Sequence, residues 1–209
     1  MRGARDGQRR GIVFIHGGLH TAWCWRRVVG LVSLPSVAID LPGRGLRPGQ
    51  PAALNTSDFV AAAAAEIDRT EWDDVVVVAH SLGGVTALGL CAAMPDRISH
   101  VVFISDTPTL GQWVPDCVSG HLSDVRPCTV SVRAGTLFPT IKARELSLAK
   151  REHVSTVDPT PWFCAPTVCP VIVGNILVYR DNAHMTPAWS RFIAPVLANA
   201  LLTDMDGTG

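Results

Sequence analysis

Residues 74–84 read Asp74-Val75-Val76-Val77-Val78-Ala79-His80-Ser81-Leu82-Gly83-Gly84, and the fold turns on them. After the aspartate, Val75–Ala79 is apolar without alternation, the pattern of a parallel strand covered on both faces. The small-residue stretch that follows, Leu82–Met94, reads as a helix that stops at Pro95. Ser81 therefore stands where a buried strand turns sharply into a helix. In such a turn the positions two before and two after the serine approach closely and must be small. Ala79 and Gly83 meet that requirement. A helix amino end behind the hydroxyl favours negative charge developing there. The plainer alternative is a serine that only caps the helix.

Outward from this junction, strand and helix signals alternate. Gly11–His16 is a short apolar run that breaks at Gly17-Gly18, and Trp25–Val32 has helical spacing. Ser36–Asp40 reads as a strand closed by the turn Leu41-Pro42-Gly43-Arg44-Gly45. Ser57–Thr70 reads as a helix with Ser57-Asp58 at its N-cap, and Ile98–Ser105 as the next strand. This alternation implies a parallel sheet with right-handed crossovers and helices on both faces, an α/β fold. From Thr107 to about Pro170 the pattern degrades, and only Ile141–Arg151 looks helical. That stretch reads as an insertion over the carboxyl edge of the sheet. Val171–Arg180 returns to strand character and Pro187–Leu202 to helix. The expectation is one domain over residues 1–209 with a reduced cap at 107–170.

Composition narrows the function classes. The 209 residues suit one domain with a sizeable core. With 18 basic and 18 acidic side chains the formal charge is zero, which points to neither nucleic acid nor an anionic membrane as partner. Met1–Arg10 is rich in Arg and Gly but leads into no long apolar core, so no signal peptide or membrane span is expected and a cytoplasmic location is. Cys24, Cys91, Cys117, Cys128, Cys164 and Cys169 contain no CxxC pair, so they read as reduced, mostly buried thiols with no metal site.

Three motifs in order carry a family likeness. His16–Val28 (HGGLHTAWCWRRV), Asp40–Gly45 (DLPGRG) and Ala79–Gly84 (AHSLGG) together resemble the α/β-hydrolase branch of methyl esterases and hydroxynitrile lyases. Met94-Pro95-Asp96-Arg97-Ile98 continues the likeness, which covers residues 11–106 and is weak beyond. Ala79 replaces the glycine usual at that place. The resemblance implies an α/β-hydrolase fold with a Ser-His-Asp triad under a helical cap and no cofactor. In that fold the loop after the first strand supplies an oxyanion hole, here the N–H groups of Gly18 and Leu82.

The triad order in this fold is serine, acid, histidine. His100 starts a strand and lies at the wrong end of the sheet, while His121 and His153 fall within the insertion as solvated loop residues. His184 admits two readings. In one, Val171–Tyr179 is the last strand, Ala183-His184-Met185-Thr186-Pro187 is the catalytic-histidine loop, and Asp106 or Asp158 is the acid. In the other, Ile176–Arg180 is the strand before last, Asp181 is the acid at its tip, and the chain stops before its histidine. Asp181 and His184 are not expected to serve together, because acid and base belong to tips of different strands. The first reading needs no missing part and is adopted for the chemistry.

The expected activity is hydrolysis of a small carboxylic ester, thioester or lactone through an acyl-enzyme on Ser81, with His184 as general base. Trp113, Leu137, Phe138, Trp162 and Phe163 are expected to line the small-molecule pocket. Two rivals stay open: a lyase or cyclase using the same site, and a catalytically degenerate binding protein on the same scaffold.

Overall fold

The structure is a computed structural model that describes residues 9–50, 53–132, 143, 147, 149–150 and 154–205. Nine strands are assigned among these residues: β1 (Arg10–Ile15), β2 (Ser36–Ile39), β3 (Asp74–His80), β4 (Ile98–Ile104), β5 (Val130–Ser131), β6 (Ser155–Val157), β7 (Val168–Cys169), β8 (Ile172–Val173) and β9 (Ile176–Leu177). The helices are α1 (Arg26–Val29), α2 (Thr56–Asp68), α3 (Gly83–Ala93), α4 (Val114–Gly120), α5 (Thr160–Phe163) and α6 (Pro187–Met205). A 3-10 turn over Ala22–Trp25 precedes α1, so only part of the expected Trp25–Val32 helix is α-helical. The chain divides into two compact units. One comprises Met1–Ile104, Ala149–Val157 and Leu197–Gly209, the other Ser105–Leu148 and Asp158–Val196.

The first unit holds a five-stranded sheet in the order β2-β1-β3-β4-β6, every pairing parallel. Val75–Ala79 of β3 have no exposure at all, which accounts for their uniform apolarity. On one face Val13, Ile15, Val75, Val77 and Ala79 pack with Ala63 and Ile67 of α2 and Ala87 and Leu90 of α3. On the other, the Phe14 ring meets Trp25 at 5.1 Å between centroids. Each fully buried Val or Ile side chain of this kind stabilises the fold by about 1.5–3 kcal/mol. At the far end of the sheet His100 meets Asp204 at 2.8 Å, tying the start of β4 to the end of α6.

Two expectations change in this unit. The fifth strand, Ser155–Val157, falls inside the stretch read as an insertion. Three residues, two of them hydroxylated, carry too little pattern to register as a strand. Helix α2 is capped by Asn55, not by Ser57. The Asn55 side chain accepts the Asp58 N–H at 3.2 Å, and the Asp58 carboxylate accepts the Asn55 N–H at 2.8 Å.

The second unit has its own core of Leu110, Val114, Cys128, Phe163, Val171, Tyr179, Trp189 and Ile193, among others. The single strand expected over Val171–Arg180 is instead a hairpin, in which Ile172–Val173 pair antiparallel with Ile176–Leu177. Gly174 turns it at φ 59, and Gly-Asn between two apolar pairs is a two-residue hairpin signal. Neither strand joins the five-stranded sheet. The expectation of six reduced cysteines is also overturned. Cys117 is bonded to Cys128 and Cys164 to Cys169, leaving Cys24 and Cys91 as thiols. Helix α4 and the 3-10 turn Arg126–Cys128 bring the first pair to a Cα separation of 5.8 Å, within bonding reach. The helix expected over Ile141–Arg151 lies mostly outside the described residues. Among the described residues no helix is long and apolar enough to cross a membrane.

The capping assignment makes a direct prediction. Asn55→Ala removes the side-chain acceptor and should lower stability by about 1 kcal/mol, while Ser57→Ala should stay within about 0.5 kcal/mol of the parent. Urea unfolding of the two variants checks this, and the reverse order would return the cap to Ser57.

Candidate active site

Ser81 follows the last residue of β3 and is exposed, with φ 52. A non-glycine residue in the left-handed region costs on the order of 1–3 kcal/mol and persists only where its surroundings over-determine it. Here the next turn locks it: Gly84 N–H donates to Ser81 O at 2.9 Å and Val85 N–H to Leu82 O at 3.2 Å. Gly83, the first residue of α3, is pressed against the end of β1. A Cβ there would lie 2.7 Å from His16 O and 2.9 Å from Ile15 O. The small residue two places after the serine is thus required by backbone contact, as the sequence implied.

The loop after β1 meets this turn from the other side. A Cβ on Gly17 would lie 2.7 Å from the His80 ring and 3.0 Å from Ser81 Cβ, so only glycine fits. Leu19 in the same loop has φ 60, and among the described residues it and Ser81 are the two non-glycine positions with positive φ. Neither the Gly18 nor the Leu82 N–H has a backbone partner among the described residues.

Three side chains at strand tips hold these loops, and the sequence reading gave none of them a role. His16 is buried, and its Nε2 accepts the Leu41 N–H at 3.1 Å. Its proton then belongs on Nδ1, which donates to Gly17 O at 2.7 Å. Asp40 accepts the Ala22 N–H at 2.7 Å and the Leu46 N–H at 3.4 Å. His80 Nε2 accepts the Gly17 N–H at 3.3 Å, with its ring 5.4 Å from the His20 ring and 5.4 Å from Trp25. Burial first, and then the neighbouring His20 and His16, push the His80 imidazole down to about 4, so it is neutral and free to accept. Desolvation likewise lowers His16. All three residues lie inside the three motifs, His16 directly before Gly17 and His80 directly before Ser81, but nothing in the motifs pairs His80 with Gly17.

In the second unit His184 sits in a loop closed by its own hydrogen bonds. The Arg180 N–H donates to His184 O at 2.9 Å, Tyr179 and Met185 form an antiparallel bridge, and the Thr107 hydroxyl donates to Ala183 O at 2.6 Å. Asp181 accepts the Ala183 N–H at 2.8 Å and the His184 N–H at 2.6 Å through Oδ1. Its Oδ2 accepts from His184 Nδ1 at 2.8 Å. Partial burial raises the Asp181 carboxyl, but the three donors outweigh it and hold the group below the usual carboxylate range. Asp181 and His184, which were not expected to serve together, are hydrogen-bonded to each other, because the chain turns back on itself within three residues with no helix between them.

The other expected acids lie elsewhere. Asp158 accepts the Thr160 N–H at 3.0 Å and the Thr160 hydroxyl at 2.6 Å, at the start of α5. Asp106 is exposed just beyond β4. Of the expected pocket residues, Trp113 is 54% exposed, while Phe163 is 2% exposed and packs in the core against Tyr179 and Trp189. Trp162 is partly buried against that same core. Leu137 and Phe138, like His153, lie outside the described residues.

Chemically, the first unit offers an exposed serine on a left-handed turn, a helix amino end behind it and two N–H donors nearby. The second offers an imidazole oriented by a carboxylate. This fold and these motifs are those of the alpha/beta hydrolases, and the alpha/beta hydrolase family matches residues 12–209. The chain belongs to that family. It is similar to esterase Rv0045c of Mycobacterium tuberculosis, 32% identical over 149 residues that cover 68% of this chain and 47% of that protein. It is also similar to esterase PIR7B of Oryza sativa subsp. japonica, 31% identical over 177 residues, covering 68% and 64%. Methylesterase 9 of Arabidopsis thaliana is 34% identical over 98 residues, covering 44% and 38%. The expected methylesterase-like branch is thereby supported. The chain spans between 38% and 64% of the length of these curated relatives.

Neutral His80 has a consequence for stability. Its folded pKa lies below the unfolded value near 6.5, so the unfolded chain binds the extra proton first as pH falls. The neutral histidine's contribution is fully present above about pH 6.5 and is lost as pH falls through about 4, by at most about 3 kcal/mol. His80→Gln keeps an acceptor but no titration, so its stability should fall less steeply across that window. Equal slopes for parent and variant would contradict the assignment.

Proposed function

We propose that this chain is a serine esterase acting on a small carboxylic ester, with thioesters and lactones open to the same chemistry. The observation that carries the reading is Ser81, exposed and left-handed at φ 52, between a fully buried strand and the amino end of α3. Ser81 Oγ attacks the ester carbonyl while an imidazole takes its proton. The tetrahedral oxyanion is held by the N–H groups of Gly18 and Leu82, each worth about 3 kcal/mol. Collapse expels the alcohol, which takes back the proton, and water then hydrolyses the acyl-serine by the same steps. The proposed base is His184, and the proposed acid is now Asp181, because its carboxylate holds His184 Nδ1 at 2.8 Å while Asp158 is bonded to Thr160. Leu19 and Leu82, both well exposed beside Ser81, favour an apolar acyl or alcohol group.

Steady-state hydrolysis of activated and methyl esters tests these roles. Ser81→Ala should reduce the rate by on the order of a hundred-thousandfold, and His184→Ala by a similar factor, since triad members act as a unit. Asp181→Asn should cost on the order of ten-thousandfold, and Asp106→Asn and Asp158→Asn very little. Gly18→Pro, which deletes one N–H donor, should cost about a hundredfold with the fold intact. Near-parental activity in His184→Ala would remove it as the base, and activity surviving in Ser81→Ala would remove the whole reading.

A further inference from the structure

We propose that Cys117, His121 and Cys128 form a binding site for a zinc-type cation when their disulfide is opened. One donor atom from each of the three lies within 4.8 Å of the others. His121 Nδ1 is 3.9 Å from the sulfur of Cys117 and 3.9 Å from that of Cys128, so the ring nitrogen sits evenly against the pair. Tetrahedral zinc with Zn–S of about 2.3 Å and Zn–N of about 2.0–2.1 Å requires sulfur-to-nitrogen separations of about 3.6 Å. The imidazole is already within a few tenths of an ångström of that. The two sulfurs must part to about 3.8 Å, which opening their bond allows.

The local backbone favours this geometry. Cys117 is on α4, His121 is its C-cap residue, and Cys128 closes the following 3-10 turn, with the Asp124 N–H bonded to His121 O at 3.1 Å. The three ligands therefore come from one compact turn and need no distant element. Cys128 is fully buried and His121 exposed, so the cation enters from the His121 side and keeps a solvent position there. Two thiolates and one dication sum to zero charge, so no net charge is carried into the core around Cys128. One bond opposes the site: His121 Nδ1 donates to Cys117 O at 2.8 Å. Ligation through Nδ1 moves that proton to Nε2 and leaves the carbonyl to water.

The chemistry balances. A dithiol reductant gives two electrons and two protons to the disulfide and closes into its own cyclic disulfide. The cation then displaces the two thiol protons to solvent, so binding strengthens as pH rises. In oxidising surroundings the disulfide persists and excludes the metal, and in reducing ones the metal takes its place.

Anaerobic cobalt titration of the full chain, reduced with a dithiol and desalted, tests this. The expected result is one cobalt per chain with a thiolate-to-cobalt charge-transfer band, displaced by zinc. Cys117→Ser should abolish the band, while Cys24→Ser and Cys91→Ser should leave it unchanged. His121→Ala changes an exposed side chain, so folding should survive, and it should weaken binding by at least about tenfold. Doubling of Cys164→Ser with Cys169→Ser should leave the band in place. No band in the reduced chain, a band surviving Cys117→Ser or lost with the Cys164/Cys169 pair, or unchanged affinity in His121→Ala would overturn the proposal.

Discussion

The left-handed backbone of Ser81 is the constraint on which the first unit depends. Leaving β3 at φ 52, the chain has no room for side chains at Gly17 or Gly83, because the loop after β1 and the start of α3 are forced together there. That crowding brings His80 against the Gly17 N–H and, through His16, fixes the turn after β2. The fully buried β3 makes the strain tolerable, since a strand with no exposed residue between Val75 and Ala79 cannot relax by shifting. The two non-glycine residues with positive φ among the described residues, Leu19 and Ser81, both lie at this junction.

His80 of the first unit and His184 of the second sit in opposite environments. His80 is buried, neutral and occupied, an acceptor that shapes a loop. His184 is exposed, with Nδ1 fixed by the Asp181 carboxylate. Asp181 supports the arrangement twice, by fixing the loop through two backbone N–H groups and by orienting the ring.

Much of the sheet was legible in the sequence because its strands are short, apolar and separated by turn residues. β3 was plain from Val75–Ala79 alone. β6 was not, since Ser155–Val157 gains strand character only by pairing with Val102–Ile104. The hairpin at Gly174 was overlooked because a continuous apolar run outweighed its Gly-Asn turn. Within the site, Ser81, Gly17 and Gly83 announce themselves by residue type and spacing. The contact of His80 with Gly17 does not, because 63 positions separate them and neither residue type demands the other. Topology argues against the Asp181–His184 pair, but topology governs strands, whereas a tight loop obeys only local hydrogen bonding. The two disulfides were missed because the cysteines share no motif and are brought together by turns that only the folded chain makes.

A nucleophile at the Ser81 turn is the one role on which every proposed step rests. Reaction with a fluorophosphonate ester, followed by peptide mapping of the adduct by mass spectrometry, tests it without assuming a substrate. The expected result is a single adduct, on Ser81, formed far faster than on any serine of the unfolded chain. An adduct on another serine, or none on the folded protein, would contradict it.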